Sequence, residues 1–165
     1  MYGVTHLSFG AVVGCIAGQC LGYPFVGAVV GGIASIIPDI DHPYSLIGKL
    51  FRPLSSWIYS EFDHRGCIHT IWFCMFISIL AVIVSRSFFS LSLIMIFTCM
   101  LSGALSHLLL DSFNFTGVRP FLPLVLRGKW IQLNEFKGTI RSGDSIEGLI
   151  IIVCMIGLFI RFYYM

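Results

Sequence analysis

Residues 7–37, LSFGAVVGCIAGQCLGYPFVGAVVGGIASII, run for 31 positions without an Asp, Glu, Lys or Arg. A hydrocarbon core about 30 Å thick is crossed by about 20 apolar residues at about 1.5 Å each. The stretch is therefore too long for one untilted helix. Gly22, Tyr23 and Pro24 stand near its middle, where a helix breaks and turns. The reading that follows is two short helices, over 7–19 and 24–37, closed as a hairpin by Gly10, Gly14, Gly18, Gly27 and Gly31. Each is too short to cross alone, so the hairpin is expected to be partly re-entrant or to sit in thinned bilayer.

Outward from the hairpin, the stretches 66–85, 87–110 and 148–164 approach the length of a span, and the last ends in an aromatic cluster suited to an interface. The chain has 165 residues, 57% of them hydrophobic and 11% charged, against about 25% charged in soluble domains. Segments 38–70 and 111–147 hold 16 of the 18 charged residues; elsewhere only Arg86 and Arg161 are charged. Such long uncharged stretches exclude a soluble enzyme, a disordered chain and a nucleic-acid-binding module. The expectation is an all-α, polytopic membrane helical bundle, residues 1–165 forming a single domain with no internal repeat. A net charge of +2 is too small to imply a nucleic-acid partner.

Lys49, Arg52, Arg65, Arg119, Arg127, Lys129, Lys137 and Arg141 lie in the two charged segments, which the positive-inside rule places on the cytoplasmic side. No basic residue precedes the first apolar run, so no cleaved leader is expected. Leu46, Ile47, Leu50, Phe51, Leu54, Trp57 and Ile58 recur at helical spacing, an amphipathic interfacial segment kinked at Pro53. Residues 121–130 read similarly. The six cysteines include no CxxC pair and fall mostly in apolar runs, as small buried hydrophobes.

Ionisable groups beside a bilayer need partners or a purpose. Here they are of metal-ligand type and stand at helix ends: His6 opens the first helix, and Asp39, Asp41 and His42 follow the second. His64 and His69 open the third, His107 and Asp111 close the fourth, and Glu147 opens the fifth. This topology gathers them at one membrane face. His107 and Asp111, at i and i+4, share a helix face about 6 Å apart, which suits joint coordination; the plainer alternative is a capped helix end. Asp39 and Asp41 lie between Pro38 and Pro43, and in an extended segment both carboxylates point the same way; a solvated loop start is the alternative. Taken singly, His6 reads as an interface histidine, Glu147 as an acid at a helix N-terminus and Asp144 as that helix's N-cap. Together, imidazoles with hard carboxylates favour a divalent metal, Zn²⁺ above Mn²⁺ or Fe²⁺.

The motifs THLSFG (5–10), PDIDHP (38–43), HRGCIHT (64–70) and SHLLLDSFNFTGVRPFLPL (106–124), with an acid opening the last helix, resemble the YdjM-like family of bacterial inner-membrane proteins, regarded as metal-dependent hydrolases. Thr70 matches that pattern, and Cys67 departs from it. The order His, Asp, His, then HxxxD is also similar to the zinc-dependent phospholipase C and P1 nuclease class. That resemblance implies His6, an Asp of the 39/41 pair, His64 or His69, His107 and Asp111 as ligands, with Asp111 bridging. The class's later His ligands have no equivalents, and Glu147 alone stands in for its last acid, so one or two metals are expected.

The expected activity is hydrolysis of a phosphoester or phosphodiester of a lipid or lipid-linked phosphate at the cytoplasmic headgroup level. Asp39 or Asp41 would act as base, and Arg65 and Arg119 would hold the phosphate. The alternative is a non-catalytic membrane protein with a structural or sensory metal site. Metal transport would call for acids or histidines mid-span, and 71–84 and 88–103 contain none. No HExxH or HxxEH is present to indicate a metalloprotease.

Overall fold

The computed structural model describes residues 1–62, 66–88, 92–122, 125–126, 129–130 and 136–164. They form α1 (Gly3–Gln19), α2 (Pro24–Ile36), a 3-10 helix (Ile37–Asp41), α3 (Leu46–Leu50), α4 (Arg52–Phe62), a second 3-10 helix (Cys67–His69), α5 (Ile71–Phe88), α6 (Leu93–Ser112) and α7 (Ser145–Tyr163). One short antiparallel pair, β1 (Val125–Leu126) with β2 (Lys129–Trp130), lies between α6 and α7. The chain is a membrane helical bundle, with 24–41, 93–112 and 145–163 each long and apolar enough to cross a bilayer.

The hairpin turns where the sequence breaks. Gly22 adopts φ +82°, which glycine enters without a Cβ penalty, and Pro24 supplies a preset φ for the first turn of α2. Behind the turn the two backbones pack almost bare. A Cβ on Gly14 would collide with the carbonyl oxygen of Gly27, and one on Gly31 would stand 2.6 Å from the Cα of Gly14. The α6 helix approaches the pair just as closely, because a Cβ on Gly103 would strike the Gly31 carbonyl. Thus α1, α2 and α6 form the tight centre; α5 packs on α6 and α7 on α1.

The expected length of the second helix needs correction. Pro38 lies at the start of a 3-10 turn that continues the path of α2, giving an 18-residue apolar run from Pro24 to Asp41. A proline in a first turn loses no hydrogen bond, so it extends the helix here. This half of the hairpin therefore reaches spanning length, and α1, at 17 residues, nearly does. Two further expectations change. The interfacial segment breaks at Phe51, with Pro53 inside the first turn of α4. Within 121–130, the described pairs are a two-residue ladder, not an amphipathic helix.

Polarity is inverted relative to a soluble domain. Phe76, Ile83, Ile152, Phe159 and Tyr163 are exposed on α5 and α7, while His6, His69, His107, Asp41 and Asp111 are at most 1% exposed. Outward apolar side chains match a lipid solvent, and buried ionisable groups face one another. Replacing Gly31 by Val should lower thermal stability in detergent by about 1–3 kcal/mol, the usual cost of overpacking. Gly157→Ala, where nothing lies within 4 Å, should leave the melting temperature unchanged or slightly raised. Equal losses in both variants would refute close backbone packing as the basis of the hairpin.

Candidate metal centre

Four helix ends bring the ligand-type residues together. His107 and Asp111 lie on the last turns of α6, Asp39 and Asp41 on the 3-10 turn after α2, His69 just before α5, and His6 in α1. Thr70 sets the start of α5: its hydroxyl donates to the Cys67 carbonyl at 2.8 Å and accepts the Phe73 N–H at 3.2 Å. This holds His69 immediately ahead of the helix.

The tautomers follow from the outer contacts of each ring. His107 Nδ1 lies 2.6 Å from the Ser35 carbonyl oxygen, an atom that only accepts, so Nδ1 carries the proton. Ser35 is held in turn by its hydroxyl, which donates to the carbonyls of His6 and Gly32 at 2.7 Å each. His69 Nδ1 lies 3.1 Å from Asp41 Oδ2 and hydrogen-bonds to that carboxylate. Burial pushes the His69 pKa below its ordinary value, which keeps the ring neutral.

Both Nε2 atoms then present lone pairs, and they face each other at 3.1 Å. Two carboxylate oxygens join them. Asp39 Oδ1 lies 3.6 Å from His107 Nε2 and 3.9 Å from His69 Nε2. Asp111 Oδ2 lies 3.6 Å from each. An ion bound tetrahedrally at about 2.0–2.2 Å separates its ligands by about 3.3–3.6 Å, close to these five distances. A proton shared between the imidazoles would satisfy one edge only, whereas Asp39, His69 and His107 bring three ligand atoms close enough to share one cation. The donor set therefore fits a metal.

The other oxygen of Asp111 turns to a second histidine. Oδ1 is 3.4 Å from His6 Nε2 and 3.5 Å from the Met1 nitrogen. The His6 ring stacks on that of His107 at 3.8 Å between centroids. His6, His107 and Asp111 form a second group able to hold an ion, beside Asp39, His69 and His107. His107 is common to both groups, and Asp111 reaches from the second toward the first, with Oδ2 3.6 Å from His69 Nε2.

The acidic pair is resolved differently from the extended reading. On a 3-10 turn, with three residues per turn, positions i and i+2 point about 120° apart. Asp39 thus faces the cluster, and Asp41 backs His69. Glu147 is buried, but its Oε2 accepts the Tyr2 N–H at 2.9 Å and the Thr5 hydroxyl at 3.0 Å, clamping the start of α1 beside His6. Asp144 occupies the N-cap position of α7, but its carboxylate instead accepts the Arg141 N–H at 2.8 Å. Arg119 is exposed. His64 and Arg65 lie outside the described residues. The sequence carries no signal for Ser35, whose backbone carbonyl orients His107; Thr5 lies within THLSFG.

Residues 1–165 match the model of the YdjM inner membrane protein family. The chain belongs to that family. It is also similar to the uncharacterized protein YvsG of Bacillus subtilis (strain 168), 30% identical over 157 residues that cover 93% of this chain and 92% of YvsG. No solved structure matches. Membership of an inner membrane protein family and the apolar spans agree that this YdjM-family chain is a membrane protein.

Metal content of the purified protein tests the cluster directly. His107→Ala and Asp111→Ala should each abolish the bound divalent ion measured by elemental analysis. Asp41→Asn, which disturbs only the outer contact of His69, should weaken affinity about 10–100-fold in chelator competition. Full metal retention by His107→Ala would refute the assignment.

Proposed function

We propose that this protein is a membrane-bound metal-dependent hydrolase that cleaves a phosphoester or phosphodiester of a lipid at the headgroup level. The observation that carries this reading is the position of Asp39. Its side chain is 14% exposed while His69, His107 and Asp111 are at most 1% exposed, and Asp39 lines a cavity of about 770 Å³. The cluster is thus open to a ligand at one point.

His69, His107, Asp39 and Asp111 would hold the metal, with His6 beside Asp111. Mixed imidazole and carboxylate donors suit Zn²⁺ first, then Mn²⁺ or Fe²⁺. When bound, such an ion lowers the pKa of a coordinated water towards about 7 and polarises a phosphoryl oxygen. Asp39 would serve as the base, because it is the carboxylate of the cluster that lines the cavity. Asp41 is fully buried and acts by orienting His69. The charge asymmetry of the loops supports a cytoplasmic active face.

One observation favours a structural or sensory metal instead: His6, His69, His107 and Asp111 are withdrawn from solvent almost completely, as ligands of closed structural sites are. Turnover separates the two readings. Purified protein with stoichiometric metal should release phosphate or a phosphorylated headgroup from a panel of phospholipids and isoprenoid phosphates, and His107→Ala and Asp111→Ala should lose metal and activity together. Hydrolysis that persists in both variants would overturn the hydrolase reading. Metal released only on unfolding, with no turnover on any lipid, would establish the structural one.

A further inference from the structure

The cavity beside Asp39 has a lining of two kinds. Lys49 and Ser142 are polar and lie outside the spans; Val4, Leu46 and Ile151 are apolar. Ile151 lies six residues into α7, about 9 Å below its start at about 1.5 Å per residue. The same cavity therefore runs from the charged face into the depth of a membrane span. Val4 and Leu46 are each about half exposed, so they are left for a ligand or a lipid to cover.

Lys49 is the only Lys or Arg among the described residues of that lining. Its position relative to the cluster is fixed by Ser45, which caps α3: the Ser45 hydroxyl accepts the Gly48 N–H at 2.8 Å and donates to the Asp39 carbonyl at 2.7 Å. The helix carrying the ammonium is thereby tied to the loop carrying the exposed ligand. A purely polar ligand would leave Val4, Leu46 and Ile151 wet. A neutral lipid would leave Lys49 facing no anion but Asp39 of the same lining. An anionic amphiphile satisfies both, and an ammonium suits phosphate as a point charge. The volume lies within the range of sites for ligands of this size, about 300–1,000 Å³.

We infer that this cavity binds a phosphorylated lipid, with Lys49 holding the phosphate and Val4, Leu46 and Ile151 flanking the first carbons of the chains. This deepens the hydrolase reading, since it sets the phosphate beside Asp39. It also adds a residue of α3 to the anion contacts expected from sequence.

Binding without turnover tests it. The full-length protein as purified, in an uncharged detergent, would be titrated with three probes: the non-hydrolysable phosphonate analogue of dihexanoyl phosphatidic acid, dihexanoylglycerol, and glycerol phosphonate. The first should bind at least tenfold more tightly than either of the others. Lys49→Gln should weaken it about tenfold and leave dihexanoylglycerol unchanged, with metal content intact. Ile151→Trp should weaken the lipid phosphonate more than glycerol phosphonate. Arg52→Gln, near Lys49 in sequence but off the lining, should change nothing. Equal loss in Lys49→Gln and Arg52→Gln would reduce the effect to surface charge and overturn the site. Equal affinity for glycerol phosphonate would mark the ligand as free phosphate and overturn the lipid assignment. Because no probe is cleaved, absent hydrolysis leaves this result standing; conversely, lipid hydrolysis with an unchanged KM in Lys49→Gln would overturn the site and spare the hydrolase.

Discussion

The structure depends on how a chain in a membrane accommodates buried ionisable side chains. His6, His69, His107, Asp41 and Asp111 are withdrawn from solvent, where an uncompensated charge costs several kcal/mol. Each outer ring nitrogen of His69 and His107 is matched to an acceptor, Asp41 or the Ser35 carbonyl. What remains is an inward-facing set of imidazole nitrogens and carboxylate oxygens, grouped so that a cation could be held among them. The ligands and the fold are consequently one problem, because the helix ends must meet for the charges to be satisfied.

Close backbone contact makes that meeting possible. A Cβ on Gly10 would stand 2.8 Å from the Gly31 carbonyl and would also collide with Ser35. Without it, Ser35 reaches the His6 carbonyl with its hydroxyl while presenting its own carbonyl to His107. The glycine stripe thus does more than join two helices. It sets the distance between α1 and α2 at which a backbone carbonyl can orient a histidine on α6.

The rest of the molecule carries the site to a membrane surface. The outward faces of α5 and α7 are apolar, and α7 is joined to the start of α1 through Glu147. The α3 and α4 helices present Leu50, Phe51, Leu54 and Trp57 outward, as an interfacial segment does. A buried cluster, a cavity beginning at one of its carboxylates and an apolar path along α7 are therefore continuous.

The sequence by itself determined the membrane class, the break at Gly22–Pro24 and the gathering of ligand-type residues at helix ends. Those features depend on local chemistry: uncharged runs of spanning length, a glycine able to take positive φ, and the i, i+4 spacing of His107 and Asp111. Tertiary structure alone decided which carboxylate of the Asp39/Asp41 pair faces the cluster, because the same PDID can be extended or 3-10, and the two place its acids on one side or about 120° apart. It likewise decided that Asp111 divides its oxygens between two histidine groups and that a serine carbonyl sets the His107 tautomer. Those outcomes depend on ångström distances between segments far apart in the chain, and no spacing within a segment encodes them.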